Sequence, residues 1–244
     1  MSWFNNMKLS LKLTLSFIVI AIITAIVGFF GLYNINIINN ADTELYFYNT
    51  RGLEYISKAS DYYQPVRVNT LSYYSATSQE ELDYFSDRAL DFIDNSQEYI
   101  DLYAETIQTD EERSIYQNLV NDWSSFVNIM NNGTNLAKAG DVEGAISLLL
   151  SNRPIIEGLQ TSLDQIIQLN SNDAQAKSDA NTSLAESATI TMIVTIIIAM
   201  IIAIFLGIFI SKSISNPVSK MVEAAKNIAL GDVDVQLHSN STDE

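Results

Sequence analysis

The chain has 244 residues, no cysteine and a formal net charge of −16 at pH 7. Phosphate backbones need a positive footprint, so this balance argues against nucleic acid as a partner, and the missing thiols exclude disulfides and thiolate metal sites. The charge is unevenly placed: residues 42–186 hold 8 Lys/Arg against 24 Asp/Glu, and the remainder is balanced.

Residues 1–12 carry Lys8 and Lys12 and no acid. Residues 13–33 follow as an apolar, uncharged run. A cleavable signal, a core helix and a membrane span compete for it. The run exceeds the ~7–15 apolar residues of a signal peptide and has no convincing small-residue cleavage site, which favours a span. A second apolar run covers 188–210 and meets Lys212, Lys220 and Lys226. Lysines on both outer flanks place both chain ends in the cytoplasm by the positive-inside rule. The expectation is a multi-pass protein of the inner or cell membrane, in contact with lipid, with residues 34–187 extracytoplasmic.

Those residues read as helical throughout, with apolar positions at 3–4 spacing. One stripe is Ile35, Ile38, Leu45, Tyr48, Tyr55, Ala59, Tyr62 and Val66. The others start at Leu82, Ile115 and Ile156. Ser78 to Glu81 and Thr109 to Glu112 have the spacing of capping boxes. Gly140-Asp141 is expected to end one helix and cap a short one over 142–150, and Arg153-Pro154 to open the last. Four long stripes with short connections predict an all-α fold: an antiparallel up-down four-helix bundle between two transmembrane helices. The first bundle helix is expected over 34–76 and the last over 154–187. At ~1.5 Å per residue these are on the order of 60 and 50 Å long. The tyrosines dense on the first helix are expected in the core or a dimer seam, with a minority left to line a ligand site.

Residues 211–244 begin with an amphipathic segment: Ile214, Pro217, Val218, Met221, Val222, Ala225, Ile228. Pro217 is expected in a first helical turn, where its missing N–H is not needed. Gly231 is expected as the stop. The proline, Gly231-Asp232 and Asp243-Glu244 fall at spacings that resemble the first half of a HAMP domain. The competing reading is an ordinary juxtamembrane helix on the lipid surface. If the resemblance holds, the domain is truncated, and Pro217, Gly231, Asp243 and Glu244 are its signal-transmission positions.

The outer segment resembles the ligand-binding bundle of methyl-accepting chemotaxis proteins, bacterial transmembrane chemoreceptors. Leu45-Tyr46, Val66-Arg67-Val68-Asn69, the run from Ala139 to Ala145, Arg153-Pro154-Ile155 and Leu169-Asn170 carry the likeness, together with the Trp3-Phe4 leader. The resemblance implies a homodimer that senses a small molecule, such as an amino acid or another carboxylate. It also implies a cytoplasmic chemotaxis kinase and adaptor reached through a part beyond residue 244. A histidine kinase or nucleotide cyclase with the same input is the alternative, since HAMP serves both.

No catalytic constellation, cofactor motif or metal-ligand spacing is evident, and the lone His238 reads as a solvated connector residue. The sharpest site expectation is Arg67, whose planar fork suits a carboxylate. It lies ~33 residues, or about 50 Å, along the first helix, which puts it level with Pro154 on the returning one. Arg153, Glu157 and Gln160 are therefore the polar residues beside it, and Asn69 and Thr70 lie about one turn farther out. The competing reading pairs Arg67 with a surface acid such as Asp61 or Glu157.

Overall fold

The computed structural model describes residues 7–230. Two compact units emerge. One is Asn39–Thr182; the other gathers the described residues up to 38 and from 183 onward. The helices are α1 (Leu9–Glu44), a π-helical turn (Leu45–Thr50), α2 (Arg51–Ser75), α3 (Gln79–Ala104), α4 (Asp110–Lys138), α5 (Val142–Ser151) and α6 (Arg153–Ala229). Helices α1 and α6 contribute residues to both units.

The helix boundaries follow local chemistry. The Ser78 hydroxyl accepts from the Glu81 N–H at 3.2 Å, and the Glu81 carboxylate accepts from the Thr77 and Ser78 N–H groups. Thr109 and Glu112 repeat the exchange at the start of α4. Both boxes satisfy donors that a helix start otherwise leaves unpaired. Helix α4 ends at Gly140, whose φ of +86° is open to glycine at no steric cost. The Gly140 N–H donates to the Ala137 carbonyl and the Asp141 N–H to that of Leu136, the paired bonds of a Schellman motif. Asp141 then caps α5, accepting from the Gly144 N–H at 2.8 Å.

In the Asn39–Thr182 unit, α2, α3, α4 and the first part of α6 bury one stripe each. Ile56, Ala59, Tyr63 and Val66 come from α2; Ile100 and Tyr103 from α3; Leu119, Trp123, Phe126 and Met130 from α4; Leu159, Leu163 and Ile166 from α6. A second, smaller cluster of Tyr73, Tyr74 and Ala145 joins the end of α2 to α5. Tyr55, Tyr63, Tyr73 and Tyr74 are thus core residues, while Tyr46 is 61% exposed.

Two departures from the sequence reading stand out. The first bundle helix is interrupted by the π turn and stops at Ser75. Helix α6 runs through Pro217, which sits inside a 77-residue helix and not in a first turn. A proline there removes one hydrogen bond from the ladder. The apolar 3–4 spacing continues across it, and the helix persists to Ala229. Gly231, Asp243, Glu244 and His238 lie outside the described residues.

In the other unit, α1 and α6 are long and apolar enough to cross a membrane. The core helix of a soluble protein would bury its apolar surface. Here Phe17, Phe29, Leu32, Ile190, Met200 and Phe205 are all more than half exposed. Gly31 lies against Met192, whose methyl carbon would stand 3.4 Å from a Cβ added at the glycine.

Candidate functional site

The residues expected around Arg67 divide into two groups. Arg67 is exposed on α2, 5.8 Å from its guanidinium carbon to the centre of the Tyr63 ring. It donates to the Gln64 amide oxygen at 3.4 Å, and Gln64 donates across to Gln160 on α6. The Tyr63 hydroxyl donates to the Ile156 carbonyl at 3.1 Å, a second tie between α2 and α6. Burial pushes the Tyr63 phenol up from its ordinary value, and the nearby Arg67 charge opposes that shift.

Arg153 and Glu157 pair with each other at 2.6 Å, one turn apart on α6, and both are exposed. Among the described residues no carboxylate lies within ion-pair range of Arg67, so neither Asp61 nor Glu157 is its partner. Asn69 and Thr70 point elsewhere. They are 8% and 3% exposed, and the Asn69 amide donates to the Pro65 carbonyl at 2.8 Å. The structure therefore brings Arg67, Gln64 and Gln160 onto one surface, keeps Arg153 and Glu157 as a local pair, and turns Asn69 and Thr70 inward. Val68 and Leu71, beside Arg67, are more than half exposed.

A polar cluster that sequence reasoning missed lies at the other end of α2. The buried Tyr103 hydroxyl donates to Glu112 Oε1 at 2.9 Å. The buried Asn170 amide donates to the Tyr103 oxygen at 2.8 Å and to Glu112 Oε1 at 3.2 Å. Gly52 closes the group: a Cβ there would stand 2.8 Å from Thr106 Oγ1 and 3.1 Å from Asn170 Oδ1. Three helices, α3, α4 and α6, thus meet through one buried carboxylate, and α2 packs against the group at Gly52. Burial, reinforced by the Glu112 charge, drives the Tyr103 phenol far above its ordinary range. The signal was present in the sequence. Asn170 continues the Leu163–Ile166 stripe by four residues, so a polar side chain stands where an apolar one is expected.

Among the described residues no group of three or more His, Cys, Asp or Glu side chains is placed to hold a metal ion. What remains is an exposed polar surface on a helical bundle. Residues 6–185, about three-quarters of the chain, match a family described as a four helix bundle sensory module for signal transduction. The chain belongs to this family. It is also 34% identical over 153 residues to a protein named as a sensory transducer in Acetivibrio thermocellus, a match covering 62% of this chain and 28% of that one. A similarly named protein of Bacillus subtilis is 22% identical over 188 residues, covering 76% and 32%. The chain thus spans about a third of the length of these curated relatives. The sensory module accounts for the bundle as a signal-transduction input, and its range takes in both polar clusters.

Proposed function

We propose that the chain is the sensor half of a bacterial transmembrane chemoreceptor. In this reading residues 34–187 are extracytoplasmic, 13–33 and 188–210 span the membrane, and 211–244 begin a HAMP domain. The protein works as a parallel homodimer. A small carboxylate binds at the Arg67 level, and its differential affinity for two packings biases α6. Helix shifts of about 1–2 Å are typical of such transitions. A chemotaxis kinase and adaptor read the result through a part beyond residue 244.

The observation that carries this reading is the continuity of α6. The helix that presents Arg153, Glu157 and Gln160 continues without a break to Ala229. A displacement at one end of an unbroken helix has a stiff path along it. The exposed Arg67 supports the ligand site, since among the described residues its fork meets the Gln64 amide oxygen at 3.4 Å and the Tyr63 ring, and no carboxylate. Exposed Val68 and Leu71 beside it support a seam between two copies.

The test is a thermal-shift screen of amino acids and dicarboxylates on the chain in detergent, followed by Arg67→Ala. The expected result is a stabilising carboxylate whose shift disappears in the variant, with the ligand-free melting temperature unchanged. An undiminished shift removes Arg67 from the site.

A further inference from the structure

The π turn interrupts the first bundle helix, which also carries Pro65 in its interior, and nothing in the turn's own sequence forces it. Leu45–Thr50 reads Leu-Tyr-Phe-Tyr-Asn-Thr, with no proline or glycine. Its flanks, Glu44 and Arg51, both have helical backbone angles, so the helix is widened there and not broken. The Arg51 N–H donates to the Tyr46 carbonyl and the Thr50 hydroxyl to that of Leu45 at 3.4 Å, both five residues back. Such a turn is one residue inserted into an α-helix, and these turns recur at functional positions.

Two further observations bear on it. Arg51 brackets the turn from its C-terminal side. Its guanidinium carbon lies 5.1 Å from the Phe47 ring centre and 5.3 Å from that of Tyr55, and it donates to the Tyr55 hydroxyl. The second observation is an unmet demand. Asn49, in the turn, is 5% exposed, and its Oδ1 has no hydrogen-bond partner. Asn170 Oδ1, beside Gly52 one turn further on, is buried and unpartnered as well. Buried acceptors without donors are destabilising.

We propose that Leu45–Thr50 stores one residue of helical register and that Arg51 is the clamp that keeps it stored. The helix ahead of the turn then has two settings. In the one observed, Ala41 is half-buried, and Asn40 and Asp42 are exposed. When the turn relaxes to α, the preceding residues rotate by about 100° and move about 1.5 Å. Asp42 then takes the inward place of Ala41. This switch is independent of the ligand-site reading, because it needs only the turn, its clamp and the unpartnered acceptors.

The test uses the cysteine-free 244-residue chain in lipid nanodiscs, with single Ala41→Cys or Asp42→Cys substitutions and maleimide labelling rates. In the parent chain residue 42 should label faster than residue 41. Arg51→Gln should invert that ratio. Deleting Tyr46 removes the stored residue, so it should keep the parent ratio and cancel the inversion when combined with Arg51→Gln, while the chain still melts cooperatively. An unchanged ratio in Arg51→Gln overturns the proposal, and so does fast labelling at both positions. Inversion that survives the deletion, or a deletion variant that no longer melts cooperatively, overturns it equally.

Discussion

The phenolic oxygen of Tyr74 occupies the place that a β-carbon at Gly133 would take. It is buried there without a hydrogen-bond partner. Gly133→Ala should therefore destabilise the chain by about 1–3 kcal/mol through overpacking, partly offset by up to about 1 kcal/mol of helix propensity. Tyr74→Phe should stabilise by about 1 kcal/mol, because it removes an orphaned hydroxyl. In the Phe background the nearest remaining atom is the ring carbon at 3.1 Å, and Gly133→Ala should become nearly neutral. Melting of the four members of this cycle checks it; additive effects would contradict the geometry.

Glu112 both caps α4 and anchors the buried cluster. Glu112→Gln keeps acceptors for the Gln108 and Thr109 N–H groups, whereas Glu112→Ala loses those and leaves the Tyr103 hydroxyl without an acceptor, the Asn170 amide keeping the Tyr103 oxygen and the Ile166 carbonyl. The alanine variant should lose about 3 kcal/mol and the glutamine variant about half of that. Denaturant midpoints in micelles measure both. Equal losses would mean that the acceptors a neutral amide retains contribute nothing and that the carboxylate charge alone matters.

Alkaline pH should weaken the bundle. Burial raises the Tyr74 phenol from 10.0 to about 12 and carries Tyr103 higher still. Below pH 10 both the folded and the unfolded chain hold these protons, and the full stability is present. Above pH 10 the unfolded chain ionises first, so stability falls as pH rises through the folded pKa. Tyr74 should contribute a loss of about 2 kcal/mol by pH 12. Melting temperatures between pH 8 and 11 should be flat and then decline, and Tyr74→Phe should reduce the decline.

Topology and assembly are testable in the proposed receptor. Alkaline phosphatase fused after residue 120 should be active, and a fusion after residue 244 inactive. The reverse pattern would invert the assignment of sides.

Cysteines replacing Val68 and Leu71 on α2, or Met221 and Ile228 on α6, should cross-link between subunits. Each of these four side chains is more than half exposed in the single chain. Cysteines at the buried Val66 and Thr70 should not cross-link. A uniform absence of cross-links in membranes would remove the homodimer.

Much of this architecture was legible because it is written locally. Ser78 with Glu81, and Thr109 with Glu112, announce helix starts within four residues. The stripes through Tyr63, Phe126 and Leu163 announce the buried faces by spacing alone. The Tyr103–Glu112–Asn170 cluster was not legible, because its members lie up to 67 residues apart and an acid in an acidic domain reads as solvating charge. The π turn was invisible for a different reason: Leu45–Thr50 contains ordinary helix-compatible residues, and the irregularity lies in backbone hydrogen bonding. Around Arg67 the sequence supplied the level but not the faces. Height along a helix follows from residue count, whereas Asn69 and Thr70 differ from Arg67 by direction.

The capping boxes also bear on the order in which the bundle assembles. The Ser78 and Thr109 boxes close over three residues, and only a few residues join α2 to α3 and α3 to α4. Such contacts form early, because little chain entropy is lost in closing them. The bond from Tyr63 to Ile156 spans 93 residues and that from Gln64 to Gln160 spans 96. We predict that α6 docks last, onto a preformed three-helix sheaf. Pulse-labelled hydrogen exchange during refolding should protect amides of α2, α3 and α4 before those of Leu159 to Ile166; simultaneous protection would contradict that order. The last helix to join would also be the first to leave. In this bundle that helix is the one that continues to Ala229.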